Sequence, residues 1–323
     1  MSLVRKTFRK QGLSRDVIKI MLKGWRKGTR QQYTIYLNRW IKFCHAKGLN
    51  PTDYDISHCL EFLLSLFKKG YSYSALNAAR SALSCLFTNP PIGNHPSVVR
   101  FLRGVFNSRP CVPRYCAIWD VSIVLRYLAS CSPSRDLNLQ MLTLKLVTLC
   151  ALVTGHRSQT IHAFDLDSCE IKSTCAKFRV NSLLKHTTPS RGDNVITLPA
   201  FGEDKRLCVV TYLREYIKRS RPFRSSSQLF MSFISPHGPV SKDTISRWIK
   251  LTLKKAGIDT KIFKAHSTRA ASTSAVQRDV DISVIMKSAG WTRKSTFARF
   301  YKKTIFGEEE SAFGKAVLRK ISQ

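Results

Sequence analysis

Acidic side chains are scarce in this sequence of 323 residues. Only 20 aspartates and glutamates oppose 54 lysines and arginines, so the formal net charge is +34 and the isoelectric point is near 10.2. A charge of this size repels itself unless a polyanion neutralises it, and it attracts phosphate backbones by counterion release. Because the excess is spread through both halves of the chain, we expect a nucleic acid partner. A basic protein without a special partner is the weaker alternative.

Long hydrophobic runs are also missing. The most apolar run, residues 142–153, is shorter than a membrane span and contains Lys145. The basic residues 1–9 are not followed by the apolar core of a secretory signal. No segment has the pattern of a strongly amphipathic basic helix that lies on a membrane. We therefore expect neither a signal peptide nor a membrane partner.

The 10 cysteines form no framework. The closest pairs are Cys111 with Cys116 and Cys169 with Cys175. Neither pair has the two-residue spacing of a zinc knuckle. A metal site at the second pair stays open, because His162 and His186 flank it. Reduced, mostly buried thiols in an intracellular compartment are the favoured alternative.

Internal repeats and low-complexity tracts are absent too, and the 43% of hydrophobic residues is enough to build real cores. The length predicts two domains. Residues 1–27 begin as a basic, flexible segment and include a short helix capped by Ser14. Apolar residues then recur at helical spacing through residues 28–106. This pattern predicts an all-α domain whose polar faces are basic.

Pro110 and Pro113 mark an extended linker at residues 107–118. Beyond it we predict a second domain at residues 119–308 and a final helix within residues 309–323. Alternation of period two predicts short strands at residues 164–166, 170–172, 177–184 and 195–198. Predicted helices occupy residues 120–130, 137–153, 207–219, 241–256, 266–278, 281–288 and 293–303. The fold class is therefore mainly α with a small antiparallel β-sheet.

The second domain carries six side chains suited to chemistry on a phosphate. In chain order they are Arg157, Lys185, His266, Arg269, Trp291 and Tyr301. Arginine and imidazole donors hold a phosphate whose charge grows in a transition state. His266 and Arg269, at i and i+3, share one face of a predicted helix. A tyrosine close to such donors has the chemistry of a covalent nucleophile at phosphorus.

At these residues the chain resembles the tyrosine recombinases, the phage-integrase superfamily. The matching motifs are the Thr154-Gly155-His156-Arg157 turn, the hairpin lysine Lys185, His266-x-x-Arg269, Gly290-Trp291 and Tyr301. The N-terminal helices are similar to the core-binding domain of that family, so the resemblance covers nearly the whole chain. It implies an all-α core-binding domain followed by a mixed α/β catalytic domain.

The resemblance also implies a role for each side chain. Arg157 and Arg269 clamp the non-bridging oxygens of the scissile phosphate. His266 hydrogen-bonds the phosphate or assists deprotonation of the tyrosine. Trp291 packs against the phosphate and donates its indole N–H, and Lys185 protonates the departing 5′ oxygen as a general acid.

Tyr301 is the implied nucleophile, giving a 3′-phosphotyrosine and a free 5′-hydroxyl. The covalent link keeps the phosphodiester energy, so the resemblance implies no cofactor, neither ATP nor a metal ion. Two features depart from the family pattern. Thr160 stands where many members carry an acidic residue, and Trp291 precedes Tyr301 by ten positions, slightly more than the commonest spacing. No other tyrosine follows Trp291.

Double-stranded DNA is the implied partner. The resemblance implies a homotetramer on two duplexes that exchanges strands through a Holliday junction, with a dimer or monomer off DNA. For base readout we expect the start of the helix at residue 241 to enter the major groove. The candidate DNA-contacting residues are Arg30, Tyr73, Asn77, Arg80, Lys242, Thr244 and Arg247. The final segment has an apolar stripe suited to docking on its own domain or, in trans, on a neighbouring protomer.

Within the superfamily, the amino-acid sequences of several stretches are similar to those of recombinases from DIRS-like and Ngaro-like retrotransposons. Recombinases of Cryptons are the near alternative. These stretches are Gly155-His156-Arg157-Ser158-Gln159-Thr160, Leu184-Lys185, Gly290-Trp291, Thr296-Phe297, Phe300-Tyr301 and residues 71–77. The likeness implies integration of a circular DNA element into chromosomal DNA, in a nucleus. Two alternatives stay open: a domesticated, non-catalytic DNA-binding protein and a type IB topoisomerase.

Overall fold

A computed structural model describes residues 1–88, 91–112, 115–182, 184, 187, 194–277, 279–291, 294–300 and 303–305. The chain divides into two units, Met1–Pro113 and Arg114–Gln323. This division falls inside residues 107–118, the predicted linker. Across the described residues, no helix combines the length and apolarity that crossing a membrane requires.

The described part of the first unit is all helical, as predicted. Its helices are α1 (Ser2–Lys10), α2 (Arg15–Lys23), α3 (Lys27–Ala46), α4 (Ile56–Lys68), α5 (Tyr73–Leu83) and α6 (Pro96–Ser108). Ser14, Asp55 and Ser72 accept backbone N–H bonds at the starts of α2, α4 and α5. The core centres on Trp40, whose ring meets Phe62 edge-on at 5.3 Å.

The start of the chain differs from the prediction. We expected a flexible basic segment before Ser14, but α1 forms there and buries Leu3, Val4 and Phe8 in the core of the unit. The three apolar side chains lie at i, i+1 and i+5 among polar ones, a pattern too short to stand out from the surrounding charges.

The second unit combines eight α-helices with five short strands in its described part. The helices are α7 (Val121–Ser130), α8 (Leu139–Thr154), α9 (Ser158–His162), α10 (Val209–Ser220), α11 (Lys242–Lys255), α12 (Ser267–Ala275), α13 (Ile282–Ala289) and α14 (Lys294–Phe300). The strands are β1 (Ala117–Ile118), β2 (Cys169–Ile171), β3 (Cys175–Arg179), β4 (Val195–Pro199) and β5 (Thr304–Ile305). Helix α8 is buried along nearly its whole length and forms the centre of the core.

Strands β2, β3 and β4 form the antiparallel sheet that the sequence predicts. Along β3, Ala176 and Phe178 face inward, and the Phe178 ring stacks on Phe164 at 4.4 Å. Of the predicted strand at residues 164–166, the structure shows only an isolated antiparallel bridge between Asp165 and Gln228, beside which the Phe164 carbonyl accepts the Leu229 N–H at 2.8 Å. Asp165 accepts the backbone N–H of Asp167, and this side-chain bond turns the chain into a 3₁₀ helix, Leu166–Ser168.

A second pair of strands has no counterpart in the prediction. Strands β1 and β5 run parallel, with Ala117 opposite Thr304 and Ile118 opposite Ile305. Both β1 residues are buried, although the sequence places them in the linker. Two-residue strands leave no periodic pattern, so only the folded chain reveals them.

Lys145 on α8 is buried in the core of the second unit, with 1% of its surface exposed. Its ammonium donates to the Cys131 carbonyl at 2.7 Å and to Ser132 Oγ at 3.2 Å. The same Nζ lies 3.8 Å from the ring centroid of Tyr212. Burial lowers the pKa of Lys145 to about 8.

Candidate active site

A left-handed turn at the end of α8 presents Arg157. Gly155 adopts φ of 59°, which L side chains rarely tolerate, and its N–H closes the helix on the Ala151 carbonyl at 3.1 Å. Thr154 Oγ1 accepts the His156 N–H at 3.2 Å and fixes the next peptide. The chain then enters α9 with Arg157 as its N-cap residue, half-buried.

Arg269 joins two of the predicted motifs. Its guanidinium is fully buried and donates from Nη1 to the Gly155 carbonyl at 2.9 Å and from Nη2 to the Ala289 carbonyl at 2.6 Å. One carbonyl belongs to the turn before Arg157, and the other lies just before Gly290-Trp291. A planar guanidinium spans both acceptors because its donors form a rigid fork.

Trp291 lies against the same guanidinium. Helix α13 ends at Gly290 with φ of 70°, and the Trp291 N–H bonds back to the Met286 carbonyl at 2.8 Å. This turn brings the indole within 4.2 Å of the Arg269 carbon Cζ, measured to the ring centroid. The ring of Phe297 on α14 covers Trp291 at 5.3 Å. The structure thus brings together Trp291, Arg269 and the arginine turn.

His266 and Arg269 differ in exposure more than the predicted shared face suggests. The helix begins at Ser267, and His266 is its N-cap residue with an exposed side chain, whereas Arg269 is buried one turn later. The Ser267 hydroxyl accepts the indole N–H of Trp119 at 2.9 Å, and both groups are buried. This bond fixes the start of the helix from which His266 projects.

Two predicted catalytic residues, Lys185 and Tyr301, lie outside the described residues, so their positions stay predictions. The chain next to each is described. Leu184 is buried in the core beside the sheet. The backbone N–H of Lys303 donates to Ser274 Oγ at 3.1 Å, which places this peptide at the end of α12.

A polar cavity of about 410 Å³ borders the two turns. Thr154, His156 and Gly290 line one part of it, and strand β4 with Lys287 lines another. Strand β4 begins ten positions after Lys185 in the sequence. The cavity therefore connects the arginine turn, the Gly290 turn and the sheet side of the site.

Thr160 occupies the position at which the sequence departs from the family pattern. It lies on α9 with 3% of its surface exposed, and its N–H bonds to the Arg157 carbonyl at 2.8 Å. A hydroxyl at this buried position supplies no negative charge to its neighbours. Sequence reasoning also missed Trp119, which contacts α12 from a distant part of the chain, and Ser274, a residue of α12 that accepts the Lys303 N–H. Neither residue leaves a local signal.

The predicted DNA-contacting residues of the first unit fall on two helices. Arg30 is half-buried near the start of α3. Tyr73, Asn77 and Arg80 follow one another at helical spacing on α5, all half-buried. The Tyr73 ring packs edge-on against Phe106 at 5.5 Å, and the Asn77 amide oxygen accepts no hydrogen bond from any described residue.

In the second unit, the predicted readout residues occupy the first turns of α11. Ser241 caps the helix by accepting the Thr244 N–H at 3.2 Å, and Arg247 donates to Thr244 Oγ1 at 3.0 Å. Lys242 and Arg247 are exposed. The opposite face of the helix is buried, with Ile245, Trp248, Ile249 and Leu253 in the core.

No described group of three or more histidine, cysteine, aspartate or glutamate side chains is arranged to hold a metal ion. His186, part of the metal alternative, lies outside the described part. All 10 cysteines are free thiols, most of them buried. Burial raises the pKa of Cys44 to about 11 and that of Cys59 to about 12. These thiols therefore stay protonated at neutral pH.

Comparison with known proteins identifies the family. Residues 127–305 match the phage integrase family model, and residues 14–90 match the phage integrase N-terminal SAM-like domain. The first match alone covers more than half of the sequence. The chain therefore belongs to the phage integrase family. It is a tyrosine recombinase, an enzyme that cleaves and rejoins DNA strands.

Individual relatives are distant. The chain is 23% identical to tyrosine recombinase XerA of Pyrococcus furiosus over 292 residues, which span 90% of this chain and 89% of the relative. The integrase of transposon Tn1549, solved with transposon right-end DNA, is 14% identical with a TM-score of 0.62, covering 100% of this chain and 99% of that one. A lambda integrase tetramer on a Holliday junction is 15% identical with a TM-score of 0.54, covering 90% and 77%. The solved structures establish the fold.

Proposed function

We propose that this tyrosine recombinase integrates a circular mobile DNA element through a 3′-phosphotyrosine intermediate. The assignment of the site rests on two hydrogen bonds of Arg269. They join the turn before Arg157 to the turn before Trp291. Two turns from separate parts of the chain thereby meet at one guanidinium. Such an assembly places arginine and indole donors around one small volume, as stabilisation of a pentavalent phosphate requires.

The proposed roles follow from these positions. Arg157, at a helix N-terminus and without a described side-chain partner, is available to bind a non-bridging phosphate oxygen. His266 is exposed and within reach of substrate at the start of α12. Lys185 is proposed as the general acid for the 5′ oxygen and Tyr301 as the nucleophile, on the sequence match alone.

For Arg269 the structure modifies the proposed role. Two of its donors are occupied by backbone carbonyls, so its contribution to the phosphate comes from its remaining donors and from its positive charge. Arg157 then provides the more accessible clamp. The two arginines thus have different proposed roles. Arg157 binds the phosphate, and Arg269 holds together the two turns that form the site.

We propose a homotetramer on two duplexes as the active assembly, with strand exchange through a Holliday junction. An apolar groove of about 330 Å³ on the second unit supports a docking step. Val276, Val280 and Val284 line it and remain partly exposed. The segment at residues 309–323, with its predicted apolar stripe, has the matching character for docking in trans. The lambda integrase tetramer supports the same arrangement by analogy.

A mobile element is the proposed setting, and a nucleus the proposed location. The sequence similarity to DIRS-like and Ngaro-like recombinases supports both the mobile-element setting and the nuclear location. The fold shared with a transposon integrase is consistent with the mobile-element setting. The proposal assigns the enzyme two DNA substrates, the termini of the element and a chromosomal target.

The test is a strand-exchange assay. Two labelled duplexes carrying the joined terminal sequence of the element are mixed with the protein, and products are resolved with and without denaturant. We expect recombinant duplexes and a four-way junction with wild type, and neither with Tyr301→Phe. Relaxation of supercoiled plasmid without pairing of sites would instead favour the topoisomerase alternative. Tight binding with no strand transfer on any substrate would favour the non-catalytic alternative.

A further inference from the structure

A groove on the first unit is lined almost entirely by cations. It encloses about 340 Å³ between α1, α2 and the start of α3. Six of its eight lining side chains are basic: Arg5, Arg9, Arg15, Lys19, Lys23 and Arg30. The other two, Ile18 and Leu22, are buried and form an apolar floor.

None of these six cations has a described hydrogen-bonding or ion-pairing side chain. No carboxylate lines the groove, and the ion pairs of the described chain lie elsewhere, for example between Lys47 and Glu61. The Met1 ammonium adds to the positive charge nearby; burial and the adjacent Arg5 lower its pKa. Six like charges gathered without a counter-charge repel one another, and a bound anion would relieve that repulsion.

The spacing of the cations suits a row of phosphates. Arg15, Lys19 and Lys23 stand at i, i+4 and i+8 on α2, and therefore span about 12 Å along one side of the helix. Arg5 and Arg9 form a second row of one turn on α1. One DNA strand presents a phosphate about every 3.4 Å along the duplex axis. The groove is thus long enough to face about three consecutive phosphates.

We propose that this groove binds the sugar-phosphate backbone of one strand of duplex DNA. The inference rests on the proposed function, which supplies the DNA. It assigns a contact site to α1, which precedes the N-terminal domain match that starts at residue 14. The groove presents rows of cations, which match phosphates that are alike at every base pair. It contributes affinity and register without sequence preference.

The experiment compares two full-length variants with equal charge loss. The groove variant carries Arg5→Gln, Arg9→Gln and Lys19→Gln, exposed changes that keep helix propensity. The control carries Lys205→Gln, Lys218→Gln and Lys254→Gln, exposed positions of the second unit that belong to no candidate site. Binding to a mixed-sequence duplex is measured by fluorescence anisotropy over a range of salt concentrations. Circular dichroism verifies that both variants are folded.

For the groove variant we expect the slope of log K against log salt to become shallower by about 2.7, that is about 0.9 for each of three phosphates that the groove no longer neutralises. The control should change the slope by less than about 1. Ethylation interference adds a direct readout: about three adjacent phosphates should matter for wild type and cease to matter for the groove variant.

Equal slopes for the groove variant and wild type would overturn the proposal, and so would equal reductions in both variants. A slope that stays unchanged while self-association changes in sedimentation would assign the groove to an acidic segment of a second copy, which also overturns it. These results leave the recombinase function standing if wild type still exchanges strands. Failure of wild type to bind duplex DNA at all would overturn the proposed function itself.

Discussion

At the scale of single residues, the two site arginines do different physical work. Arg269 is fully buried and donates to two backbone carbonyls, while Arg157 is half-buried and has no described side-chain partner. Both belong to the set predicted from the sequence. The sequence motifs predict that both arginines belong to the site. Only the folded chain shows that Arg269 hydrogen-bonds the turn that precedes Arg157.

This difference predicts a split between stability and activity. Arg269→Lys keeps the charge but cannot span both carbonyls, so we expect the free energy of unfolding to fall by about 2–4 kcal/mol and cleavage to be abolished. Arg157→Lys, the matched control, should abolish cleavage while stability changes by less than about 0.5 kcal/mol. Urea unfolding and a cleavage assay measure both. Equal destabilisation by the two substitutions would contradict the assigned roles.

Because Lys145 is buried, we predict that the free energy of unfolding increases as the pH rises into the alkaline range. Its pKa is lowered to about 8 in the folded chain, whereas the ordinary value for a lysine is 10.5. Between these pH values the unfolded chain holds a proton that the native chain has released, so stability increases as pH rises. The full shift corresponds to about 3 kcal/mol.

The comparison for this prediction is Lys145→Met. The buried thiols have raised pKa values and oppose the rise, so only the difference between wild type and variant isolates the lysine. We expect wild type to gain stability relative to Lys145→Met between about pH 8 and pH 10 in urea titrations. Parallel stability curves for the two proteins would show that the ammonium is not desolvated as described.

At the scale of elements, helix α12 is anchored at both ends. The Trp119 indole N–H bonds to Ser267 at its start, and Ser274 near its end accepts the Lys303 N–H. Arg269 lies between these anchors. The residue just after strand β1 and the residue just before strand β5 thus both contact the helix that carries two site residues.

Trp119→Phe tests the first anchor. A smaller aromatic ring replaces the indole and the N–H is removed, so Ser267 loses its donor and the position of His266 becomes less defined. We expect the single-turnover cleavage rate to fall about tenfold with an unchanged Kd for DNA. Trp248→Phe, at a buried tryptophan of α11 whose indole makes no described hydrogen bond, serves as the control. If both variants cleave at the wild-type rate, Trp119 has no positioning role.

Elements with strong periodicity were predictable from the sequence, and short ones were not. The helices of the first unit from Arg15 onward follow from caps and apolar spacing, as at Ser72 and α5. Strands β1 and β5 were missed because two residues cannot show a period. Helix α1 was missed because its three buried apolar residues do not stand out among the surrounding charges. The strand predicted at residues 164–166 is limited to one bridge at Asp165, because the Asp165 side chain accepts the Asp167 N–H and a 3₁₀ helix begins at Leu166.

At the scale of the whole molecule, the mainly helical fold with a small antiparallel sheet is confirmed, as is the recombinase family. Charge, motif order and helical patterning were sufficient for this, since they are properties of the sequence itself. Two of the contacts that assemble the site, between Arg269 and Gly155 and between Trp119 and Ser267, join residues more than 100 positions apart. Such contacts depend on the packing of both turns against α12 and leave no local pattern.

The central claim is that Tyr301 attacks DNA at a site assembled by Arg269. Covalent trapping tests it most directly: nicked suicide DNA with the terminal sequence of the element is incubated with wild type and with Tyr301→Phe, and products are separated in denaturant. We predict a protein–DNA band with wild type whose nucleotide-bearing peptide contains Tyr301, and no band with the variant. A band that persists in Tyr301→Phe, or an adduct on another residue, would contradict the account.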